Sequence, residues 1–171
     1  MSIGQAMETT PHLRGAWKRG LQALRPEDKP HISAEDTRHI TGSAYLDEAL
    51  QRVREHAEAH RWDIGIGYRH TNRAHEVLYW VEIHTANDHG LTLVLEKLRW
   101  LRRWLAGDGR LLDSFEREFV WVSSGRTSFM PTSARAKQFA LLGLKHKGRV
   151  LRIPDERPDE LSRVAQPRGM A

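Results

Sequence analysis

The sequence of 171 residues contains no cysteine. This absence excludes a disulfide framework, a thiolate metal site and a cysteine nucleophile. No apolar run approaches the roughly 20 residues needed to span a bilayer. The first ten residues also lack the charged and then apolar pattern of a signal peptide. We therefore expect a protein without a membrane segment and with a cytoplasmic location.

Two familiar site motifs are missing as well. Residues 125–128 lack the Gly-Lys-Ser/Thr end of a phosphate-binding loop, so we interpret them as a turn. Several histidines stand near residues 56–89 without the His-Glu-x-x-His spacing of a zinc site. We interpret these as solvated side chains: His56, His60, His70, His75 and His89.

Basic residues are the main compositional feature that is present. Lysine and arginine outnumber aspartate and glutamate by 27 to 22, which gives a net charge of +5 and a pI near 9.9. This balance favours nucleic acid or another polyanion as a partner. Because the basic residues are spread along the chain, a solvated basic surface is the alternative.

The apolar pattern predicts alternating helices and strands. Helical spacing covers residues 43–60 and again residues 91–105. Between them, residues 62–68 alternate apolar and polar, and residues 76–85 are aromatic and β-branched, which predicts the two strands of a hairpin. Residues 119–122 predict a short central strand.

The end of the pattern completes a domain. Thr132 or Ser133 caps a predicted helix that runs to Leu142, and residues 150–153 form a last predicted strand. The order α-β-β-α-β-α-β predicts an α/β fold with a mixed central β-sheet flanked by helices. We expect a basic N-terminal extension, a core domain and a disordered C-terminal tail, at residues 1–40, 41–154 and 155–171.

Three polar side chains on the hairpin are candidates for one metal site. Glu82 and His84 are two residues apart on a strand and therefore share a face. Asp63 lies on the face of Gly65 and Gly67, where we expect open space beside the carboxylate. If Asp63 stands opposite Glu82 or His84, the three groups converge, whereas a register shifted by one residue would separate them.

Such a convergence would have a defined chemistry. Two carboxylates and an imidazole suit a divalent cation, Mg²⁺ or Mn²⁺. A cation of this kind polarises a phosphoryl oxygen and lowers the pKa of a bound water, as phosphodiester hydrolysis requires.

The hairpin with Asp63, followed by Glu82-Ile83-His84 and then by a helix and a strand, resembles the PD-(D/E)XK nuclease superfamily. The motif of that family is an acid on one strand and Glu-x-Lys on the next, and the similarity covers residues 43–154. The resemblance implies a restriction-endonuclease-like fold and metal ligands at Asp63 and Glu82. It assigns His84 to the position of the lysine that orients the attacking water.

The resemblance has two departures and one loose match. Histidine at position 84 is only partly cationic at neutral pH, unlike lysine. Trp62 stands where the family has proline. An acid from the first helix often contributes in that family, and Asp47 or Glu48 is the nearest match.

The leading hypothesis is a divergent metal-dependent nuclease acting on DNA or RNA. Its catalytic residues would be Asp63, Glu82 and His84, and its metal ligands Asp63, Glu82 and Asp47. The basic residues expected at nucleic acid are Lys97, Lys145, Lys147 and Arg149. For Lys97 the alternative is a lysine that extends along a packed helix to solvent, and for residues 145–149 it is a solvated strand edge.

Two other functions are open. One is a catalytically silent module on the same fold that binds nucleic acid or a protein. The other is a structural partner protein in which Trp100 and Trp104 form an exposed apolar patch. The sequence leaves the oligomeric state undetermined.

Overall fold

The structure, a computed structural model, describes residues 1–71, 75–128 and 133–155. The helices are α1 (Ile3–Thr9), α2 (Leu46–Leu50), α3 (Asp88–Ala106), α4 (Arg110–Asp113) and α5 (Ala134–Leu141). The strands are β1 (Ile32–Ala34), β2 (Ile40–Tyr45), β3 (Ile64–Arg69), β4 (Glu76–His84), β5 (Glu116–Ser123), β6 (Leu144–His146) and β7 (Leu151–Ile153). Short 3-10 helices cover Lys29–His31 and Thr37–His39. Within the described ranges, no helix has the length and apolar character needed to cross a membrane.

Five strands form a mixed sheet in the order β2-β3-β4-β5-β6. The strands β2, β3 and β4 are antiparallel neighbours, while β5 runs parallel to β4 and β6 parallel to β5. Parallel neighbours need a long connection, which α3 supplies between β4 and β5 and α5 between β5 and β6. The predicted α/β fold with a mixed sheet and flanking helices is confirmed. The restriction-endonuclease-like assignment remains a prediction.

The two faces of the five-stranded sheet bury different neighbours. One face packs against the helices, and this core includes Trp80, Leu98 and Phe139. The other face packs against the small parallel sheet formed by β1 and β7, through Ile32, Leu151 and Ile153. Alternate residues of β4 therefore face different cores, and the even-numbered ones face the helices.

Helix α3 is the long element that covers the even-numbered face of β4. Its N-cap is Asn87, whose side chain accepts a hydrogen bond from the Gly90 amide at 2.7 Å. A Cβ atom at Gly90 would lie 1.9 Å from the carbonyl oxygen of Thr85, so only glycine permits this close approach. The start of α3 is thereby held against the end of β4.

The predicted helix over residues 43–60 is wrong for most of its length. Residues 43–45 belong to β2, α2 has only five residues, and residues 51–59 form turns. Pairing of β2 with β3 supplies a ladder of non-local hydrogen bonds, which outweighs the local helical spacing. In the turns, Nη1 of Arg61 donates hydrogen bonds to the carbonyl oxygens of His56, Ala57 and Ala59. In a continuous helix, these oxygens would accept from backbone amides four residues later.

Other predicted elements are confirmed, with changes in their neighbours. The hairpin, α3, β5 and α5 are present, and Ser133 caps α5. The predicted last strand exists as β7 but pairs with β1 outside the main sheet, and β6 was not predicted. In the N-terminal extension, α1 buries Ile3, Ala6 and Met7 in the helix-side core. The tail from residue 156 onward lies outside the described residues.

Candidate active site at the end of the hairpin

Asp63 and Glu82 lie side by side. Asp63 immediately precedes β3, and the antiparallel register pairs the next residue, Ile64, with Val81 of β4. Continuing that register by one residue brings Asp63 opposite Glu82. The backbone amide of Asp63 donates a hydrogen bond to Oε2 of Glu82 at 3.2 Å. The register required by the sequence hypothesis is therefore present.

Lys97 of α3 completes this site. Its Nζ atom donates to Oδ1 of Asp63 at 3.1 Å and to Oε1 of Glu82 at 2.5 Å. The side chain of Glu82 is 0% exposed, that of Lys97 14% and that of Asp63 16%. We call Asp63, Glu82 and Lys97 the carboxylate–lysine cluster. It is nearly buried, and its remaining solvent access is through Asp63 and Lys97.

The charges of the cluster do not balance. Two carboxylates and one ammonium leave a net charge of −1 when all three groups are ionised. Burial raises the pKa of Glu82 well above its ordinary range, and the negative charge of Asp63 raises it further. Burial alone would lower the pKa of Lys97, but the charges of Glu82 and Asp63 outweigh it and raise that pKa. Lys97 is thus favoured as a cation, while Glu82 takes up a proton more readily than an exposed glutamate does.

His84 does not join the cluster. It shares a face of β4 with Glu82, and its Nδ1 atom lies 3.4 Å from the carbonyl oxygen of Thr85. Among the described residues, ligand atoms of Asp63, Glu82 and His84 do not form a group of three within 4.8 Å of one another. The two acids therefore meet at Lys97, and the histidine does not join them. A catalytic role for His84 remains a prediction.

The acids of α2 have other partners. Asp47 Oδ1 accepts a hydrogen bond from Nε of Arg61 at 2.9 Å. Glu48 pairs with Arg25 at 2.7 Å. Asp47 also belongs to no group of three metal-ligand atoms in the described part of the chain. Its predicted role as a metal ligand finds no geometric support here.

The open space expected beside Asp63 is filled. A Cβ atom on Gly65 would lie 2.9 Å from the ring of Trp80. One on Gly67 would lie 2.6 Å from Oγ1 of Thr41 and 3.1 Å from the ring of Trp17. The glycines on this face admit packed side chains rather than a substrate. That part of the sequence interpretation is wrong.

The basic residues predicted to contact nucleic acid differ in their surroundings. Lys145 pairs with Glu118 at 2.6 Å. Lys147 pairs with Asp155 at 2.9 Å, and both side chains are almost buried. Arg149 is exposed. Lys97 belongs to the carboxylate–lysine cluster, which neither sequence interpretation of it foresaw.

A signal in the sequence could have identified Lys97. It stands three residues after Val94 and four before Leu101, both of which are 0% exposed. Positions three and four apart share a helix face, so Lys97 belongs to the apolar stripe of α3. A buried ammonium needs a charged partner. Glu82, an acid in an apolar strand on the facing surface, was the available partner.

The tryptophans of α3 are not a surface patch. Trp100 and Trp104 stack with ring centroids 6.1 Å apart and are 6% and 4% exposed. Trp104 also packs edge-on against Trp80 of β4. The structural-partner hypothesis predicted an exposed apolar patch at Trp100 and Trp104, and this prediction is wrong.

Comparisons with known proteins gave no match, whether to a family model, to a curated protein sequence or to a solved structure.

Proposed function

We propose that the protein is a metal-dependent nuclease-like phosphodiesterase that acts on DNA or RNA. The observation that carries this proposal is the contact of Lys97 with both Asp63 and Glu82. The motif of the PD-(D/E)XK nucleases combines two acids with a lysine. The same three chemical groups meet here, with the lysine contributed by α3 instead of β4. The cluster thus contains the lysine that the motif has and that position 84 lacks, although this lysine comes from a different element of the fold.

The donor set of the cluster fits a hard divalent cation. Asp63 and Glu82 offer carboxylate oxygens, the ligands preferred by Mg²⁺ and Mn²⁺. When all three groups are ionised, the net charge of −1 favours uptake of positive charge. Such a cation, when bound, would polarise a phosphoryl oxygen and lower the pKa of a water molecule.

The residues of the chain have distinct roles in this proposal. Asp63, which is partly exposed, and Glu82, which is buried, would hold the cation. Lys97 provides a fixed ammonium that stabilises negative charge developing on the phosphoryl oxygens. It would also orient the water whose oxygen bonds to phosphorus as the bond to the leaving oxygen breaks, and the proton lost by the water would reach the leaving oxygen through solvent. The raised pKa of Lys97 suits a charge-stabilising group rather than a general base.

The charge of the chain supports a polyanionic substrate. The chain carries a net charge of +5, which favours approach of a polyanion. Arg149 provides an exposed guanidinium that is suited to phosphate, whereas Lys145 and Lys147 are engaged in ion pairs.

The test is cleavage of labelled single- and double-stranded DNA and RNA with Mg²⁺, Mn²⁺ or EDTA. The variants are Glu82→Gln and Lys97→Met, and the matched control is Glu118→Gln. Glu118 also pairs with a lysine on the same sheet, but outside the cluster. We expect metal-dependent cleavage by the wild type and the control, and a loss of at least about 100-fold in both cluster variants.

A binding measurement separates the proposal from its rival. The catalytically silent module predicts no cleavage and no change of melting temperature with millimolar Mn²⁺. The proposal predicts a rise of several degrees in the wild type that is absent in Glu82→Gln. Cleavage that persists in folded Glu82→Gln, or a wild type that neither cleaves nor binds Mn²⁺, would overturn the proposal.

A further inference from the structure

A second group of metal-ligand atoms lies outside the carboxylate–lysine cluster. One ligand atom from each of Glu55, His56 and Asp108 lies within 4.8 Å of the other two. Glu55 and His56 belong to the turns that follow α2, and Asp108 follows the end of α3. We call these three residues the His56 group. Within the described residues, it is the one set of three possible metal-ligating side chains whose ligand atoms all lie within 4.8 Å of one another.

The imidazole of His56 is held in place without a hydrogen bond to its Nε2 atom. The ring packs edge-on against Trp100 with centroids 5.6 Å apart, and the side chain is 14% exposed. Within the described part of the chain, Nε2 is buried and has no hydrogen-bond partner. The closest charged atom is Oδ2 of Asp108 at 3.6 Å, which is beyond hydrogen-bond distance.

This separation suits two ligands of one ion. Ligands about 2.1 Å from a tetrahedral Zn²⁺ lie about 3.4 Å apart. The 3.6 Å between Nε2 of His56 and Oδ2 of Asp108 is close to that value. An ion between them would give the buried nitrogen the partner that it lacks. Glu55 is exposed, and one of its carboxylate oxygens lies within 4.8 Å of the ligand atoms of the other two residues, so it can supply a third ligand.

The surface around the group leaves room for a fourth ligand. A cleft of about 390 Å³ is lined by the three residues together with Trp100, Arg103 and Trp104. Three protein ligands with an open fourth position are typical of zinc sites that keep a water molecule.

We propose that Glu55, His56 and Asp108 form a Zn²⁺ site whose fourth position opens into this cleft. The imidazole selects zinc over magnesium, because nitrogen ligands suit transition metals and carboxylates alone suit Mg²⁺. The ion joins the turns of residues 51–59 to the end of α3. The site is separate from the carboxylate–lysine cluster and independent of the proposed nuclease activity.

The experiment measures zinc bound by the whole chain. Protein stripped with a chelator is dialysed against micromolar Zn²⁺, and bound zinc is quantified beside the melting temperature. The variants are Asp108→Asn and His56→Gln. The matched control is His60→Gln, because His60 also lies 3.6 Å from an acid, Glu96, but its side chain is 62% exposed.

We expect one zinc per wild-type chain and a rise in melting temperature of about 5 °C or more at saturating zinc. The control His60→Gln retains both effects, whereas Asp108→Asn and His56→Gln lose them. Asp108→Asn keeps the test valid if His56→Gln fails to fold, because Asp108 is 43% exposed. Absence of bound zinc, or equal binding by Asp108→Asn, would overturn the site.

Discussion

Helix α3 contacts one acid-containing cluster through its middle and ends beside another. In the carboxylate–lysine cluster, the cation is a side chain of the protein, and Glu82 is 0% exposed. In the His56 group, two acids flank an imidazole, and Asp108 is 43% exposed. The first cluster is closed by its own ammonium, whereas the second is an open set of ligands.

The difference indicates what each cluster contributes in the absence of metal. Burial makes the acids of the first cluster dependent on Lys97, because an unpaired buried charge is costly. Exposure makes the acids of the second nearly independent of their neighbours, because water solvates them. Substitution of one charged side chain should therefore lower the free energy of unfolding at the carboxylate–lysine cluster. At the His56 group, substitution of an acid should weaken metal binding and leave the free energy of unfolding without metal nearly unchanged.

The largest effect is expected from Lys97→Met. The substitution leaves Asp63 and Glu82 together without a cation, and breaking such a pair costs about 3 kcal/mol or more. The free energy of unfolding, measured with urea at pH 8, should fall by that amount. Lys145→Met is the matched control, because Lys145 pairs with Glu118 where both side chains are partly exposed. It should cost less than about 1 kcal/mol, and an equal loss in both variants would contradict the comparison.

The second effect is a pH dependence that resides in Glu82. Its pKa in the folded protein is raised above the ordinary 4.5, so the folded state binds the proton more tightly than the unfolded state. This stability is present below pH 4.5 and is lost as pH rises through the folded pKa. The free energy of unfolding of the wild type, relative to Glu82→Gln, should fall with a slope of up to about 1.4 kcal/mol per pH unit. A flat difference from pH 4.5 to 9 would be the contrary result.

The smallest effect is expected at Asp108. Without zinc, Asp108→Asn removes only an exposed carboxylate that lies 3.6 Å from His56. Its free energy of unfolding should stay within about 0.5 kcal/mol of the wild type in a buffer with chelator. A much larger loss would mean that the His56 group is a structural ion pair rather than an open ligand set.

The fold was predictable where local pattern and tertiary pairing agree. The β3–β4 hairpin and α3 follow from period-two and helical spacing, and both are present. Residues 43–60 show helical spacing but begin in β2, because pairing with β3 supplies hydrogen bonds that a local pattern does not reveal. The pairing of β7 with β1 is non-local in the same sense.

The candidate site was predictable across the hairpin and not beyond it. The register that joins Asp63 to Glu82 depends on two strands that are close in sequence. The contact of Lys97 depends on how α3 lies over β4. Gly90, in the first turn of α3, allows the helix backbone to approach Thr85 closely, and a pattern of apolar residues does not reveal this approach. His56 was interpreted as a solvated side chain because its spacing matches no zinc motif, and Asp108, which lies near it in the structure, is 52 positions away in the sequence.

The small parallel sheet also bears on how the chain folds. Strand β1 at residues 32–34 pairs with β7 at residues 151–153, so its contacts join residues that are 119 positions apart in the sequence. Closing so large a loop costs more chain entropy than closing the β3–β4 hairpin, and three-residue strands return few hydrogen bonds for it. The hairpin that carries Asp63 and Glu82 can thus form early. We expect the β1–β7 pair to form after the hairpin.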